Sequence, residues 1–211
     1  MKSTVLSDKS VGRLAQVRKH LTERFSALTV PFLARLHVSP NSLSWTGFAL
    51  TAVMAYLAAY GYLIASGLVL LFASLLDTLD GALARYSNKV TRYGAVLDST
   101  LDRLGEGVSL LGVLIFLLKI SINPVMPVAL TVMALIGSYL VSYVRARAEG
   151  LGLPCEVGIS TRPERVLILV LGLLTRQVII ALSVITLMSF FTAGERLFHV
   201  WRETKDDSHK S

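Results

Sequence analysis

Cysteine is almost absent from this 211-residue chain, in which Cys155 is the only one. A single cysteine excludes an internal disulfide. It also suggests neither a zinc site built from cysteines nor a redox-active cysteine pair. Charged residues are also scarce, at 17% of the chain, where soluble domains carry about 25%. Hydrophobic residues make up 53%, and the mean hydropathy is +0.61. This balance is typical of a protein embedded in a membrane.

Long apolar runs recur along the chain, at 43–63, 64–79, 107–122, 124–144, 166–175 and 178–193. A spanning helix needs about 20 mostly apolar residues, so the shorter runs span only if the polar residues at their ends belong to the same helices. The pattern predicts an all-α integral membrane protein with six transmembrane helices. We expect one domain over 1–211, with the six-helix bundle at 41–201. No cleavable leader is expected, because the first apolar run follows a long amphipathic stretch.

The net charge of the chain is +7, and its basic residues are distributed unevenly among the segments that link the apolar runs. Seven basic residues precede the first apolar run, the link at 60–67 carries no charge, and basic and nearly neutral links then alternate. Under the positive-inside rule, both ends and the basic links face the cytoplasm, as in a multi-pass protein of the cytoplasmic membrane. Because the charge flanks the spans, anionic lipid head groups and a phosphorylated substrate suit it better than nucleic acid.

The segment before the first span has its own pattern. Basic and apolar positions alternate at helical spacing over 10–36, which predicts an N-terminal amphipathic helix lying on the cytoplasmic leaflet. A disordered basic tail is the alternative. The run Ser39-Pro40-Asn41-Ser42 then predicts a helix start with Asn41 or Ser42 as its cap.

Four aspartates lie inside this apolar sequence: Asp77, Asp80, Asp98 and Asp102. Acidic residues at membrane depth are costly and rare. The first two are three residues apart and the last two are four apart, so each pair shares a helix face. A short link makes the two helices antiparallel neighbours, which brings the four carboxylates together. The pattern predicts a site for two Mg²⁺ or Mn²⁺ ions, whose charge would offset the four aspartates.

The residues between the aspartates suit a phosphate-bearing substrate. Gly81, Ala82 and Ala84 leave room for a nucleotide close to the backbone, and Arg85 is placed to hold a phosphate. A two-metal site with these neighbours suits phosphoryl transfer. Two alternatives stay open: an ion relay in a transporter, and structural salt bridges from Arg85 or Arg103. Glu106 extends the face of Asp98 and Asp102, but we expect it to pair with a basic side chain.

The aspartates belong to a longer pattern, Asp-x₂-Asp-Gly-x₂-Ala-Arg-x₈-Gly-x₃-Asp-x₃-Asp. Its eight fixed positions are Asp77, Asp80, Gly81, Ala84, Arg85, Gly94, Asp98 and Asp102. In this pattern the chain resembles the CDP-alcohol phosphotransferase family, also called CDP-alcohol phosphatidyltransferases. The resemblance implies an enzyme of phospholipid biosynthesis in which an alcohol attacks a CDP-linked lipid, releasing CMP. It also implies a homodimer.

The resemblance further implies roles for individual residues. Asp77, Asp80 and Asp98 would ligate two divalent ions, and Asp102 would be the general base while also touching a metal. The residues expected to contact the CDP-lipid are Asn41, Ser42, Leu43, Ser44, Gly81, Ala84, Arg85 and Thr91. For 41–44, a plain helix cap is the alternative role.

Two basic segments bear on the acceptor alcohol. Those at 142–149 and 158–165 resemble the branch that makes phosphatidylinositol phosphate or its archaeal ether-lipid counterpart. The resemblance implies transfer from CDP-diacylglycerol or CDP-archaeol to inositol 3-phosphate. Arginine offers bidentate donors to a phosphate, and the candidates are Arg145, Arg147, Arg162 and Arg165. Glycerol 3-phosphate is the alternative acceptor, and anchoring at the membrane surface is the alternative role of the arginines.

Overall fold

A computed structural model describes residues 29–36 and 38–207. This part of the chain folds into helices joined by turns and short links, which confirms the all-α expectation. A helical segment at 29–35 comes first. The six helices that follow are α1 (Pro40–Ala59), α2 (Leu63–Tyr86), α3 (Arg92–Ile120), α4 (Val125–Gly150), α5 (Arg162–Leu174) and α6 (Val178–Asp207).

Within the described residues, four helices are long and apolar enough to cross a membrane: Pro40–Ala59, Leu63–Tyr86, Val125–Gly150 and Val178–Lys205. The other two helices, α5 and α3, do not meet this criterion of length and hydropathy. Helix α5 has 13 residues and a length of about 20 Å, whereas the hydrocarbon core is about 30 Å thick. Helix α3 carries several charged residues in its first half. Six spans therefore stay a prediction.

The start of α1 differs from the sequence expectation. Neither Asn41 nor Ser42 is the cap, because the helix already begins at Pro40. The Ser39 hydroxyl oxygen accepts a hydrogen bond from the Ser42 backbone N–H at 3.1 Å, which is the contact that an N-cap side chain makes. Proline suits the first helical position, since its missing N–H is not needed there. Pro163 likewise lies in the first turn of its helix, α5.

The described chain forms two compact units, and the first comprises the described residues before Ala49 together with Ala73–Leu101. Its core consists of Val30, Leu43, Leu79 and Leu83. The segment at 29–35 therefore packs against the start of α1 and the end of α2, which carries two of the aspartates. The rest of the predicted interfacial helix, 10–28, lies outside the described residues.

The second unit comprises Ala49–Phe72 and the described residues from Asp102 onward. Helix α6 packs against α4 and α5. Side chains from several helices are fully buried in its core, among them Met54, Val113, Leu173 and Leu182. Helices α1 and α3 touch closely at Gly112, where a Cβ atom would lie 2.4 Å from the Ala55 carbonyl oxygen. Small residues allow this approach, and close packing is what holds helices together in a membrane.

Candidate active site

The structure places all four aspartates on helices, as the sequence predicts: Asp77 and Asp80 on α2, Asp98 and Asp102 on α3. In the first unit, carboxylate oxygens of Asp77 and Asp98 lie within 4.8 Å of each other. Asp102 follows Asp98 by one turn of α3. Carboxylate oxygens are the ligands that Mg²⁺ and Mn²⁺ prefer. The donor set therefore fits a divalent ion.

Asp80 is held differently from the other three aspartates. Its side chain is buried, and its Oδ2 accepts a hydrogen bond from the Ser44 hydroxyl at 2.5 Å. Its Oδ1 lies 2.5 Å from the Gly81 backbone N–H. These two donors fix the orientation of the carboxylate, and its role as a metal ligand stays a prediction. Ser44 was singled out for the nucleotide, whereas the structure places its hydroxyl on this aspartate.

Replacing Ser44 with alanine is expected to weaken divalent-ion binding by about 10-fold, since hydrogen-bonding partners of metal ligands typically contribute 10–100-fold. Titration of Mn²⁺ into the purified protein, followed by electron paramagnetic resonance, measures this. Thr46→Ala is the matched control, because Thr46 lies on the same helix and donates only to the Ser42 carbonyl oxygen. Unchanged Mn²⁺ affinity in Ser44→Ala would show that this hydrogen bond does not support an ion site.

Several residues predicted to contact the nucleotide lie together in the first unit. The Thr91 hydroxyl accepts a hydrogen bond from the Gly94 N–H at 2.9 Å, which caps α3. A Cβ atom on Gly94 would lie 2.9 Å from this hydroxyl and 3.4 Å from the Asn41 Oδ1. A side chain at this position would therefore displace the Thr91 hydroxyl that caps the helix. On α2, a Cβ on Gly81 would lie 3.5 Å from the Arg85 Nη1, so this guanidinium lies beside the glycine.

The remaining residues predicted to contact the nucleotide are Ser42, Leu43 and Ala84, and each has contacts or burial within its own helix or core. Ser42 donates its hydroxyl to the Ser39 carbonyl oxygen at 2.7 Å, within the first turn of α1. Leu43 is buried in the core of the first unit. Ala84 is half-buried on α2. The cap role considered for 41–44 thus belongs to the turn that Ser39 begins, and the nucleotide role of these residues stays a prediction.

Two ion pairs join α3 and α5 in the second unit. The outer pair consists of Asp102 and Arg162, whose Oδ1 and Nη1 are 2.6 Å apart. The inner pair consists of Glu106 and Arg165, with contacts of 2.7 Å and 3.1 Å to the two carboxylate oxygens. Arg165 also donates to the Ser160 carbonyl oxygen at 3.0 Å. The acidic residues are four apart on α3 and the arginines three apart on α5, so the pairs lie one turn from each other.

Arg103 supplies a third guanidinium to the same two carboxylates. Its Nη1 donates to the Glu106 Oε2 at 3.1 Å and to the Ser142 hydroxyl at 2.5 Å. Its Nη2 is 3.9 Å from the Asp102 Oδ2, and its backbone carbonyl accepts from the Tyr139 hydroxyl at 2.9 Å. The expectation that Glu106 pairs with basic side chains is confirmed. The salt bridge considered between Arg103 and an aspartate is also present, to Asp102.

A small cavity adjoins the arginines of the two pairs. Its polar lining side chains are Thr51, Glu106, Ser109, Ser138, Arg162 and Arg165. Its free space of about 30 Å³ holds one or two waters. A substrate the size of a sugar phosphate does not fit inside, so a phosphate would reach Arg162 from the exposed side of its side chain.

The loop before α5 sets the position of Arg162, and α6 fixes that loop. Ser160 is fully buried, and its backbone N–H donates to the Thr192 hydroxyl at 3.1 Å. Arg196, only 2% exposed, donates to the carbonyl oxygens of Val157 at 2.9 Å and of Val141 at 2.5 Å. The sequence pattern assigns Arg196 no role in a site. No local signal distinguishes it, because its partners come from distant parts of the chain.

The other two acceptor candidates lie near the end of α4. Arg145 and Arg147 are both exposed. The Arg145 Nε donates to the Glu149 carboxylate at 2.7 Å, one turn further along the helix. The described contacts therefore connect Arg162 and Arg165 with the acidic residues of α3, while Arg145 pairs within its own helix.

The sequence that forms these helices and carries these carboxylates matches a known class of membrane transferase. The sequence profile of the family named CDP-alcohol phosphatidyltransferase matches residues 37–195, and the chain belongs to this family. It is accordingly a transferase of this type and a multi-pass membrane protein.

Two relatives named as synthases are similar over most of their length. The chain is 34% identical over 181 residues to the archaetidylinositol phosphate synthase of Methanothermobacter thermautotrophicus, covering 83% of this chain and 89% of that protein. It is 32% identical over 190 residues to the phosphatidylinositol phosphate synthase of Mycobacterium marinum, covering 84% and 81%.

Solved structures of the Mycobacterium tuberculosis phosphatidylinositol phosphate synthase share the fold at 31% identity. The structure with CDP-DAG bound matches with a TM-score of 0.76, covering 84% of this chain and 94% of that one. The complex of the same enzyme with manganese and citrate matches with a TM-score of 0.75, covering 83% and 88%.

Proposed function

We propose that this protein transfers a phosphatidyl-type group from a CDP-linked lipid to the hydroxyl of inositol 3-phosphate, releasing CMP. The observation that carries the proposal is the similarity, over most of the chain, to synthases named for inositol phosphate lipids. The likeness to a structure that holds CDP-DAG supports the donor. The donor is CDP-diacylglycerol or CDP-archaeol, since relatives of both kinds are similar.

The carboxylates divide between binding ions and moving a proton. Asp77, Asp80, Asp98 and Asp102 would hold two Mg²⁺ or Mn²⁺ ions, whose positive charge would supply polarisation of the pyrophosphate and compensation for the leaving CMP. The manganese in a similar structure supports this assignment. Asp102 takes the proton of the acceptor hydroxyl. The hydroxyl oxygen then bonds to the phosphorus that carries the lipid, and the bond from that phosphorus to CMP breaks.

The nucleotide of the donor lies against the first unit in this proposal. Asn41 and Thr91, whose side-chain oxygens both lie close to Gly94, present an amide and a hydroxyl for hydrogen bonds. Arg85 beside Gly81 holds a phosphate, because a glycine leaves space next to the guanidinium. Thr91 can serve as cap and ligand together, since its hydroxyl oxygen has two lone pairs.

The phosphate of the acceptor is bound by the basic residues of the second unit. Arg162 is the primary contact, because its side chain is 22% exposed while that of Arg165 is 2% exposed. Arg165 is more deeply buried and is hydrogen-bonded to Glu106, so it contributes positive charge from beneath Arg162. Arg145 and Arg147 add positive charge at the end of α4.

Membrane placement completes the proposal. With α3 and α5 counted as spans, six helices form one membrane domain with both ends cytoplasmic, as the distribution of basic residues supports. The active site then faces the cytoplasm, where phosphorylated acceptors are found. Two copies associate as a homodimer.

An acceptor assay tests the function. The purified protein, in detergent with Mg²⁺, is given CDP-diacylglycerol or CDP-archaeol together with inositol 3-phosphate, glycerol 3-phosphate or free inositol. We expect CMP release with inositol 3-phosphate, and its loss on chelation of Mg²⁺. CMP release with glycerol 3-phosphate alone would contradict the acceptor assignment. Cation uptake into sealed vesicles, with no CMP release from any mixture, would instead identify a transporter.

A further inference from the structure

The outer and inner ion pairs between α3 and α5 differ in their exposure. The Glu106 and Arg165 side chains are 9% and 2% exposed, and three hydrogen bonds fix the guanidinium. The Asp102 and Arg162 side chains are 16% and 22% exposed, with a contact of 2.6 Å between them. A part-exposed ion pair exchanges partners far more readily than a buried one, because water compensates the separated charges. The inner pair is therefore permanent and the outer pair exchangeable.

The exchangeable pair contains the proposed base. A carboxylate accepts a proton through its oxygen lone pairs, and in the structure the Arg162 guanidinium lies against the Asp102 Oδ1. A base covered in this way cannot receive a proton at that oxygen. Arg162 is also the more accessible of the two α5 arginines proposed to bind the acceptor phosphate. The Arg162 guanidinium thus has two competing anionic partners, the Asp102 carboxylate and the phosphate of the acceptor.

We propose that Arg162 covers Asp102 until the phosphate of the acceptor draws the guanidinium away, so that the base becomes available only when the acceptor is bound. This inference rests on the proposed function. A phosphate dianion competes well for the guanidinium, because it carries about two negative charges and offers bidentate acceptors. Arg103 remains 3.9 Å from the Asp102 Oδ2. Asp102 therefore keeps a positive neighbour when Arg162 leaves, which lowers the free energy needed for the exchange.

The benefit is protection of the donor from water. Without the cover, Asp102 could take a proton from water instead of from the acceptor. The water oxygen would bond to the phosphorus that carries the lipid, and the bond to CMP would break with its electron pair leaving on CMP. The products would be CMP and the lipid phosphate monoester. Water has a place next to Arg162, because the cavity that this residue lines has room for one or two water molecules.

The test measures CMP and lipid phosphate monoester formed from the CDP-lipid with no acceptor present. In Arg162→Met, whose side chain keeps much of the length without the charge, we expect hydrolysis to rise about five- to tenfold above wild type, while transfer to inositol 3-phosphate falls. Arg162→Lys keeps a positive charge and should hold hydrolysis near the wild-type rate. Arg202→Met, on the exposed end of α6, is the matched control and should leave both rates unchanged.

Two further measurements identify the route. Asp102→Asn combined with Arg162→Met should abolish the added hydrolysis, because that hydrolysis needs the uncovered base. Inorganic sulfate, a dianion that carries no alcohol, should raise the hydrolysis by wild type, since it occupies Arg162 without accepting the lipid. The sulfate arm needs no variant to fold.

The outcomes separate this inference from the proposed function. Unchanged or lowered hydrolysis in Arg162→Met, together with no response of wild type to sulfate, overturns the covering role while inositol 3-phosphate can still be the acceptor. A purely structural arginine would lower hydrolysis and transfer together. If another acceptor alcohol supports transfer but Arg162→Met still hydrolyses the donor faster, the acceptor assignment fails and the covering role stands.

Discussion

Replacing Asp102 with asparagine is expected to lower the rate of CMP release by about 10²–10⁴-fold, the range that a general base contributes. The amide keeps the size of the carboxylate and an oxygen, but it cannot take the proton of the acceptor hydroxyl. Binding of the CDP-lipid should stay largely intact, because the other aspartates and the nucleotide residues remain. Turnover is measured as CMP release, and donor binding by equilibrium titration with CDP-lipid in detergent.

Glu156→Gln is the matched control for that substitution. Glu156 is an exposed acidic residue in the loop before α5, and the change removes the same charge outside the carboxylate group. Wild-type turnover in Asp102→Asn would refute the role as base. Loss of donor binding in proportion to the loss of turnover would show that Asp102 acts through the donor site alone.

Replacing Glu106 with alanine is expected to destabilise the protein by about 3–5 kcal/mol, as when one partner of a buried ion pair is removed. The change leaves the Arg165 guanidinium, 2% exposed, without its carboxylate. Glu106→Met combined with Arg165→Met should recover much of the stability, because the buried guanidinium is removed together with its carboxylate. Arg103, which also loses Glu106, is 27% exposed and keeps Asp102 as an acidic neighbour. Thermal unfolding in detergent measures the change in stability.

The exposed pair on α4 provides the control for this effect. Arg145 and Glu149 are 2.7 Å apart, but their side chains are 46% and 51% exposed. Glu149→Ala should therefore change the stability by less than about 1 kcal/mol. Equal losses in Glu106→Ala and Glu149→Ala would show that burial does not set the strength of the inner pair.

Local periodicity accounts for what could be predicted from the sequence. The spacings within the aspartate pairs place the carboxylates on helix faces, because a helix repeats every 3.6 residues. The same argument, applied to the step from Asp102 to Glu106 and from Arg162 to Arg165, gives two matching faces. The sequence therefore contains the signal for the two ion pairs, although it does not state which partners meet.

Contacts between distant residues could not be predicted in this way. The hydroxyl of Ser44 meets Asp80, 36 residues away, and Arg196 meets the Val157 carbonyl, 39 residues away. Such contacts depend on how whole helices pack, which side-chain periodicity does not determine. The wrong cap at Asn41 or Ser42 has a simpler origin: Pro40 at the first helical position marks Ser39 as the cap.

The hydrogen bonds by which α6 fixes the loop before α5 have a consequence for the order in which a newly made chain folds. Ser160, next but one to Arg162 in the chain, is secured by Thr192, and Val157 by Arg196, so both anchors follow α5 in order of synthesis. Chains are made from the N-terminus, and earlier segments fold first. The aspartates can thus reach their helices on the ribosome well before the arginines of α5 are seated. The proposed acceptor site is therefore completed last, after the final helix has packed against α4 and α5.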